Sequence, residues 1–137
     1  MSGPKRQFIY IDDNKLDCFI AEKVIQNTGL SEKTTLFLEP LKAFEFIKTT
    51  PLPELPCRNI IFVDIQMPLM NGFEFVEAFE TLPWDIRKNY AVFMLSSSIN
   101  ENDHNRVKNY PSVIHLLNKP LTSKILLSLM ELYKEVL

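Results

Sequence analysis

Asn59-Ile-Ile-Phe-Val-Asp64-Ile-Gln-Met-Pro-Leu-Met-Asn-Gly72 is the stretch from which the rest of the chain is read. A short apolar run, of strand length, stops on a carboxylate. Asp64 does not serve as the cap of the next helix, because Met67-Pro68 intervenes before a helix can begin near Gly72. Its carboxylate is therefore left for other work. The following segment places Phe75, Val76, Phe79 and Leu82 at helical spacing, and Pro83 stops it.

Four more apolar runs flank this one: Phe8–Ile11, Thr35–Leu38, Ala91–Leu95 and Val113–Leu117. Each reads as a buried strand. Helical spacing fills the intervals. After the first strand, Leu16, Phe19, Ile20 and Val24 share a face and Gly29 closes the helix. After the second, Leu41, Phe44 and Ile47 carry a helix that ends before the connection with Pro51, Pro53 and Pro56, read as a rigid surface segment. After the fourth, Ile99, Val107 and Tyr110 form a thin stripe, with Ser98-Ile-Asn-Glu101 spaced as a capping box. The last helix begins at Thr122 as cap and stacks Ile125, Leu126, Leu129, Leu132, Tyr133 and Val136. Strict alternation of strand and helix predicts an α/β fold: a doubly wound (βα)₅ unit, its five-stranded parallel sheet covered by helices on both faces.

Open sheets of this kind bind ligands beyond the carboxyl ends of their strands. The residues there are Asp12-Asp13 after strand one, Asp64 after strand three, Ser96 after strand four and Lys119 after strand five. Three carboxylates gathered at one sheet end repel one another unless a hard cation sits among them. Mg²⁺ suits that role, since it takes a few carboxylates, keeps waters and recruits phosphate oxygens. Lys119 supplies a mobile positive charge and Ser96 a hydroxyl donor. A carboxylate nucleophile needs no general base, because an ordinary aspartate, with a pKa of about 3.9, is ionised at neutral pH. Neither His104 nor His115 lies at a strand end.

With these pieces in order, the chain resembles the receiver domains of two-component response regulators, over nearly its whole length from Phe8 onward. The matching pieces are Asp12-Asp13, the segment Asp64 to Gly72, Ser96 in Met94-Leu-Ser-Ser, Lys119-Pro120 and the (βα)₅ order itself, the flavodoxin-like receiver fold. The resemblance implies that Asp64 accepts a phosphoryl group, that Ser96 and Lys119 read it, and that Asp13, Asp64 and the Gln66 carbonyl bind Mg²⁺ directly while Asp12 acts through water. It implies a histidine kinase or histidine phosphotransfer protein as donor and an unnamed downstream protein as target. It also places Gln66 and Ser98 beside the path of hydrolytic water. One departure is Leu116, where many receivers carry an aromatic switch residue; His115 or Tyr110 are the nearby candidates to replace it. Such a domain is a phosphoacceptor and signalling switch rather than an enzyme, although it catalyses its own phosphotransfer and slow dephosphorylation; a phosphoryl relay or sink is the alternative.

Composition sets the remaining bounds. The 137 residues have room for one domain, expected at residues 7–137 behind a short polar tail at 1–6, and not for a receiver with a separate effector. Fifteen basic against 17 acidic residues leave no basic run to contact phosphates, which argues against direct nucleic-acid binding. Cys18 and Cys57 lack metal-ligand spacing, and no apolar stretch is long enough to insert into a membrane, so a cytoplasmic protein is expected. A phosphohydrolase with Asp64 as nucleophile is disfavoured because Ile65-Gln66 follows it in place of a D-x-D pair. A nucleotide- or flavin-binding domain is disfavoured because Gly3, Gly29 and Gly72 all lie away from the first strand–helix turn. A degenerate receiver is disfavoured by the intact acidic, hydroxyl and lysine set.

Overall fold

Alternation with a period of two along the central strands divides the core into two layers. On one side of the sheet lie Ile9 and Ile11, Ile61 and Val63, and Val92 and Met94. On the other lie Phe8 and Tyr10, Ile60 and Phe62, and Phe93 and Leu95. A computed structural model describes residues 5–50 and 57–137 of the chain. In it these strands are β1 (Arg6–Ile11), β3 (Asn59–Asp64) and β4 (Tyr90–Ser96), flanked by β2 (Ser31–Phe37) and β5 (Val113–Asn118). The sheet is parallel throughout, in the order β2-β1-β3-β4-β5. The expected doubly wound architecture is the one observed.

The helices cover both layers. Helices α2 (Pro40–Thr49), α3 (Gly72–Phe79) and α5 (Glu101–Val107) pack over the first, and α1 (Lys15–Asn27) and α6 (Ser123–Leu132) over the second. A sixth helix, the single turn α4 (Trp84–Arg87), follows Pro83 and was not expected. Trp84 there is largely exposed beside the Arg87 guanidinium.

The structure corrects four details. Strands β2 and β5 are sheet edges and only partly buried, so the uniform reading of five buried strands holds for β3 and β4 throughout and for most of β1. Helix α1 turns Cys18, Ala21 and Ile25 inward and leaves Leu16, Phe19 and Ile20 exposed. Its phase is set at its start, where Asp12 Oδ1 accepts the Asn14 N–H (3.0 Å) and the Asp12 carbonyl accepts from Cys18 Sγ (3.3 Å). The bulky Phe8, Tyr10 and Phe62 beneath favour small residues at the contact. Helix α2 likewise buries Ala43 and Ile47 and exposes Leu41.

Helix α5 starts two residues later than its expected cap. Asn100, not Ser98, forms the capping box: Asn100 Oδ1 accepts the Asp103 N–H (2.9 Å), and Asp103 Oδ2 accepts the Asn100 N–H (3.2 Å). Ser98 is engaged elsewhere, its N–H donating to Ser96 Oγ (3.1 Å). Thr122 caps α6 as expected, accepting the Ile125 N–H at 3.1 Å. The tail expected at 1–6 is described only from Lys5, and Arg6 already opens β1. The connection spanning Pro51, Pro53 and Pro56 lies outside the described residues.

Candidate functional site

The chain runs from β1 to β2 on one side of the sheet and returns to β3 on the other, so β1 and β3 are neighbours at the reversal point. Ile11 pairs with Val63, which places Asp12 and Asp64 side by side where the strands end. A crevice opens at such a reversal because the helices diverge to opposite faces. Asp64 in turn pairs with Leu95, Ser96 with Asn118, and the Lys119 N–H donates to the Ser96 carbonyl (2.9 Å). Strand register alone thus gathers residues from opposite ends of the sequence. The Lys119–Pro120 peptide is cis.

Carboxylate oxygens of Asp12, Asp13 and Asp64 lie within 4.8 Å of one another. Asp12 and Asp64 are buried, whereas Asp13 is exposed at the mouth. Oxygen-only donors at this spacing, on one fixed and one exposed edge, fit a hard divalent cation that retains waters. Gln66 lies in the loop after Asp64 and its N–H donates to Asp64 Oδ1 (3.0 Å), which fixes that carboxylate's rotation.

Lys119 closes the cluster. Its Nζ donates to Asp12 Oδ2 at 2.6 Å, to Asp64 Oδ2 at 2.7 Å and to Asp17 Oδ2 at 3.0 Å. Burial alone would lower the ammonium's pKa, but its bonds to Asp12, Asp64 and Asp17 raise it well above the ordinary lysine value. Burial pushes the Asp64 carboxyl above its usual range, and Asp12 adds to the rise; the Lys119 ammonium and the Gln66 N–H offset it in part. Behind them, Tyr10 donates to Asp12 Oδ2 (3.3 Å), and burial followed by the Asp12 charge raises that phenol's pKa well above normal.

Asp12, Asp13, Asp64 and Lys119 are thus brought together as expected. Ser96 is fully buried at the end of β4 with its hydroxyl turned to the Ser98 N–H. Two contributors were missed by sequence reasoning. Tyr10 reads as an apolar strand residue, and Asp17 as an ordinary acid in a helix's first turn. The available signal was spacing: Asp17 is one turn into the helix that Asp12-Asp13 introduces, so it must hang near the same crevice.

The loop between Asp64 and α3 carries two constraints. A Cβ on Gly72 would meet the Asp64 carbonyl oxygen at 2.5 Å and Ile65 Cα at 2.9 Å, so only glycine lets the helix start this close to the strand. Leu69 adopts φ 68° and is fully exposed. Left-handed backbone at a leucine costs roughly 1–2 kcal/mol.

No family model and no curated protein matches the chain. Solved structures do. A response regulator receiver protein from Dyadobacter fermentans is 30% identical, with a TM-score of 0.84 over 94% of this chain and 98% of that one. A two-component response regulator from Cytophaga hutchinsonii is 25% identical, with a TM-score of 0.81 over 98% of each chain. A chemotaxis protein of Vibrio cholerae, 20% identical with a TM-score of 0.77 over 98% of this chain and 100% of that one, shares the fold. The chain belongs to the response regulator receiver family.

Among the described residues, no helix is long and apolar enough to cross a membrane.

Proposed function

We propose that residues 7–137 form a receiver that takes a phosphoryl group onto Asp64 from a histidine kinase or histidine phosphotransfer protein, with Mg²⁺ as cofactor, and signals in the cytoplasm by altered binding to a partner protein. The observation that carries this reading is the convergence of Asp12, Asp13 and Asp64 with the Lys119 ammonium at the ends of β1, β3 and β5. A carboxylate oxygen of Asp64 attacks phosphorus, the P–N bond to the donor imidazole breaks, and its electron pair stays on the ring nitrogen. Asp64 acts without a general base because the Lys119 pair favours its ionised form against the cost of burial. The Gln66 N–H keeps the carboxylate turned, and Lys119 is at hand to leave Asp64 and take up the charge that accumulates on the phosphoryl oxygens.

Mg²⁺ held by Asp12, Asp13, Asp64 and the Gln66 carbonyl would supply neutralising charge to the carboxylates and the transferred group. Phosphorylation adds about 1.5 to 2 negative charges, by analogy with phosphorylated hydroxyl residues. Ser96, whose hydroxyl accepts the Ser98 N–H, can turn toward that charge and draw the loop before α5 with it. Incubation with Mg²⁺ and acetyl phosphate, followed by intact-mass measurement, tests the reading. One labile phosphoryl group on the wild type and none on Asp64→Asn is expected; equal labelling of the two overturns it.

A further inference from the structure

Lys119 has three N–H donors, and all three are spent on carboxylates. Two of those partners, Asp12 and Asp64, also belong to the acidic cluster that a divalent cation would occupy. The third does not. Asp17 stands in the first turn of α1, outside the group of converging oxygens, with its side chain 38% exposed against 0% and 8% for Asp12 and Asp64. Together with Lys119 it lines a small cleft between α1 and the turn after β5, closed by Tyr10, Ile20, Pro120 and Leu121. An acid in this helix position stabilises the helix dipole without reaching anywhere. Asp17 instead reaches a lysine 102 residues away.

We propose that Asp17 is a positioning residue for Lys119: it holds the third N–H of the ammonium at the mouth of the site, adds a negative charge beside the cation cluster, and competes with an incoming phosphoryl group for the same ammonium. The inference rests on the reading of Asp64 as the phosphoryl-accepting site. Neutralising Asp17 has two consequences of opposite sign. Lys119 is left with Asp12 and Asp64 as its partners and one attractive charge is lost, so the cation binds more weakly. Once the cation is in place, Lys119 has no competing partner at the mouth and an anionic phosphoryl mimic binds more tightly.

The experiment titrates wild type, Asp17→Asn and Asp17→Glu with Mg²⁺ and then, at saturating Mg²⁺, with beryllofluoride, following the amide resonances of Asp12, Asp13 and Asp64. For Asp17→Asn the Mg²⁺ Kd should rise roughly three- to tenfold while the beryllofluoride Kd falls by a similar factor, the scale for one charge removed beside a partly screened site. Asp17→Glu should restore both toward wild type. Constants that stay unchanged, or that move together as they would if Asp17 served only α1 stability, overturn the proposal. Wild-type protein that binds neither probe removes the phosphoacceptor reading itself; wild type that binds both while Asp17→Asn changes neither removes this inference alone.

Discussion

At the scale of single residues, the site is a balance of charges held against burial. The folded-state pKa of Asp64 is raised above its unfolded value, chiefly by desolvation. A carboxyl shifted in that direction favours folding below its unfolded pKa, and that advantage is lost as pH rises through the folded pKa. The ionised carboxylate is therefore a burden at neutral pH. Asp64→Asn should raise the thermal midpoint at pH 7, and the gain should shrink as pH falls through the carboxyl's folded-state pKa; a variant no more stable than wild type at pH 7 would contradict this. Leu69 carries a different burden, its left-handed backbone in the loop between Asp64 and α3. Leu69→Asn should leave the fold intact and stabilise it by about 0.5–1 kcal/mol in denaturant titration, since asparagine tolerates that conformation. A loss of stability would show that the exposed leucine makes contacts of its own.

The residues legible in the sequence were those that end strands. Asp12, Asp13, Asp64, Ser96 and Lys119 each follow an apolar run, and parallel register does the rest. Asp17 and Tyr10 were harder to read because each reaches the site from inside an element: spacing puts Asp17 near the crevice but does not name Lys119 as its partner, and Tyr10 sits within an apolar strand.

At the scale of elements, helix phase and helix start proved harder to read than helix existence. Leu16, Phe19 and Ile20 look like a buried stripe, yet α1 buries the smaller Cys18 and Ala21 because aromatic strand residues already fill the layer below. Hydrophobicity indicates which residues want burial; the volume available decides which achieve it. Ser98 and Asn100 are both plausible caps by type, and the choice fell to Asn100 because Ser98 is tied back to Ser96. Asn100→Ala should therefore cost about 1 kcal/mol in stability, whereas Ser98→Ala should cost little. The reverse ranking in chemical denaturation would place the helix start at Ser98. At the other side of the site, Gly72→Ala must push α3 away from the Asp64 carbonyl. A loss of roughly 1–3 kcal/mol is expected, since the clash is with backbone that has nowhere to move.

At the scale of the whole molecule, the sheet is buried where it carries the site, and one covering helix is held by its surface alone. None of the residues of α5 is buried. It is fastened to α3 by surface contacts: the Arg106 guanidinium over the Phe73 ring, Tyr110 stacked on Phe73, and the Tyr110 hydroxyl donating to Glu77. Leu116 lies buried under this region, in the same layer as Val107 and Tyr110, whereas His115 faces the opposite layer and meets Tyr133. Of the two candidates for the missing aromatic, Tyr110 is therefore the one on the side where α5 lies. Beryllofluoride with Mg²⁺ should perturb amides from Ser96 to Asn100 and the start of α5 most, with a smaller response at Leu116. A response concentrated in β5 with the Ser96 loop unmoved would rule out this route.

The central claim, that Asp64 is the residue that carries the phosphoryl group, is tested most directly by trapping it. After incubation with Mg²⁺ and acetyl phosphate, borohydride reduces an aspartyl phosphate to homoserine, and peptide mass mapping locates the change. Homoserine at position 64 alone is the predicted result; unmodified Asp64 with reduction at Asp12, Asp13 or Asp17 would contradict the account.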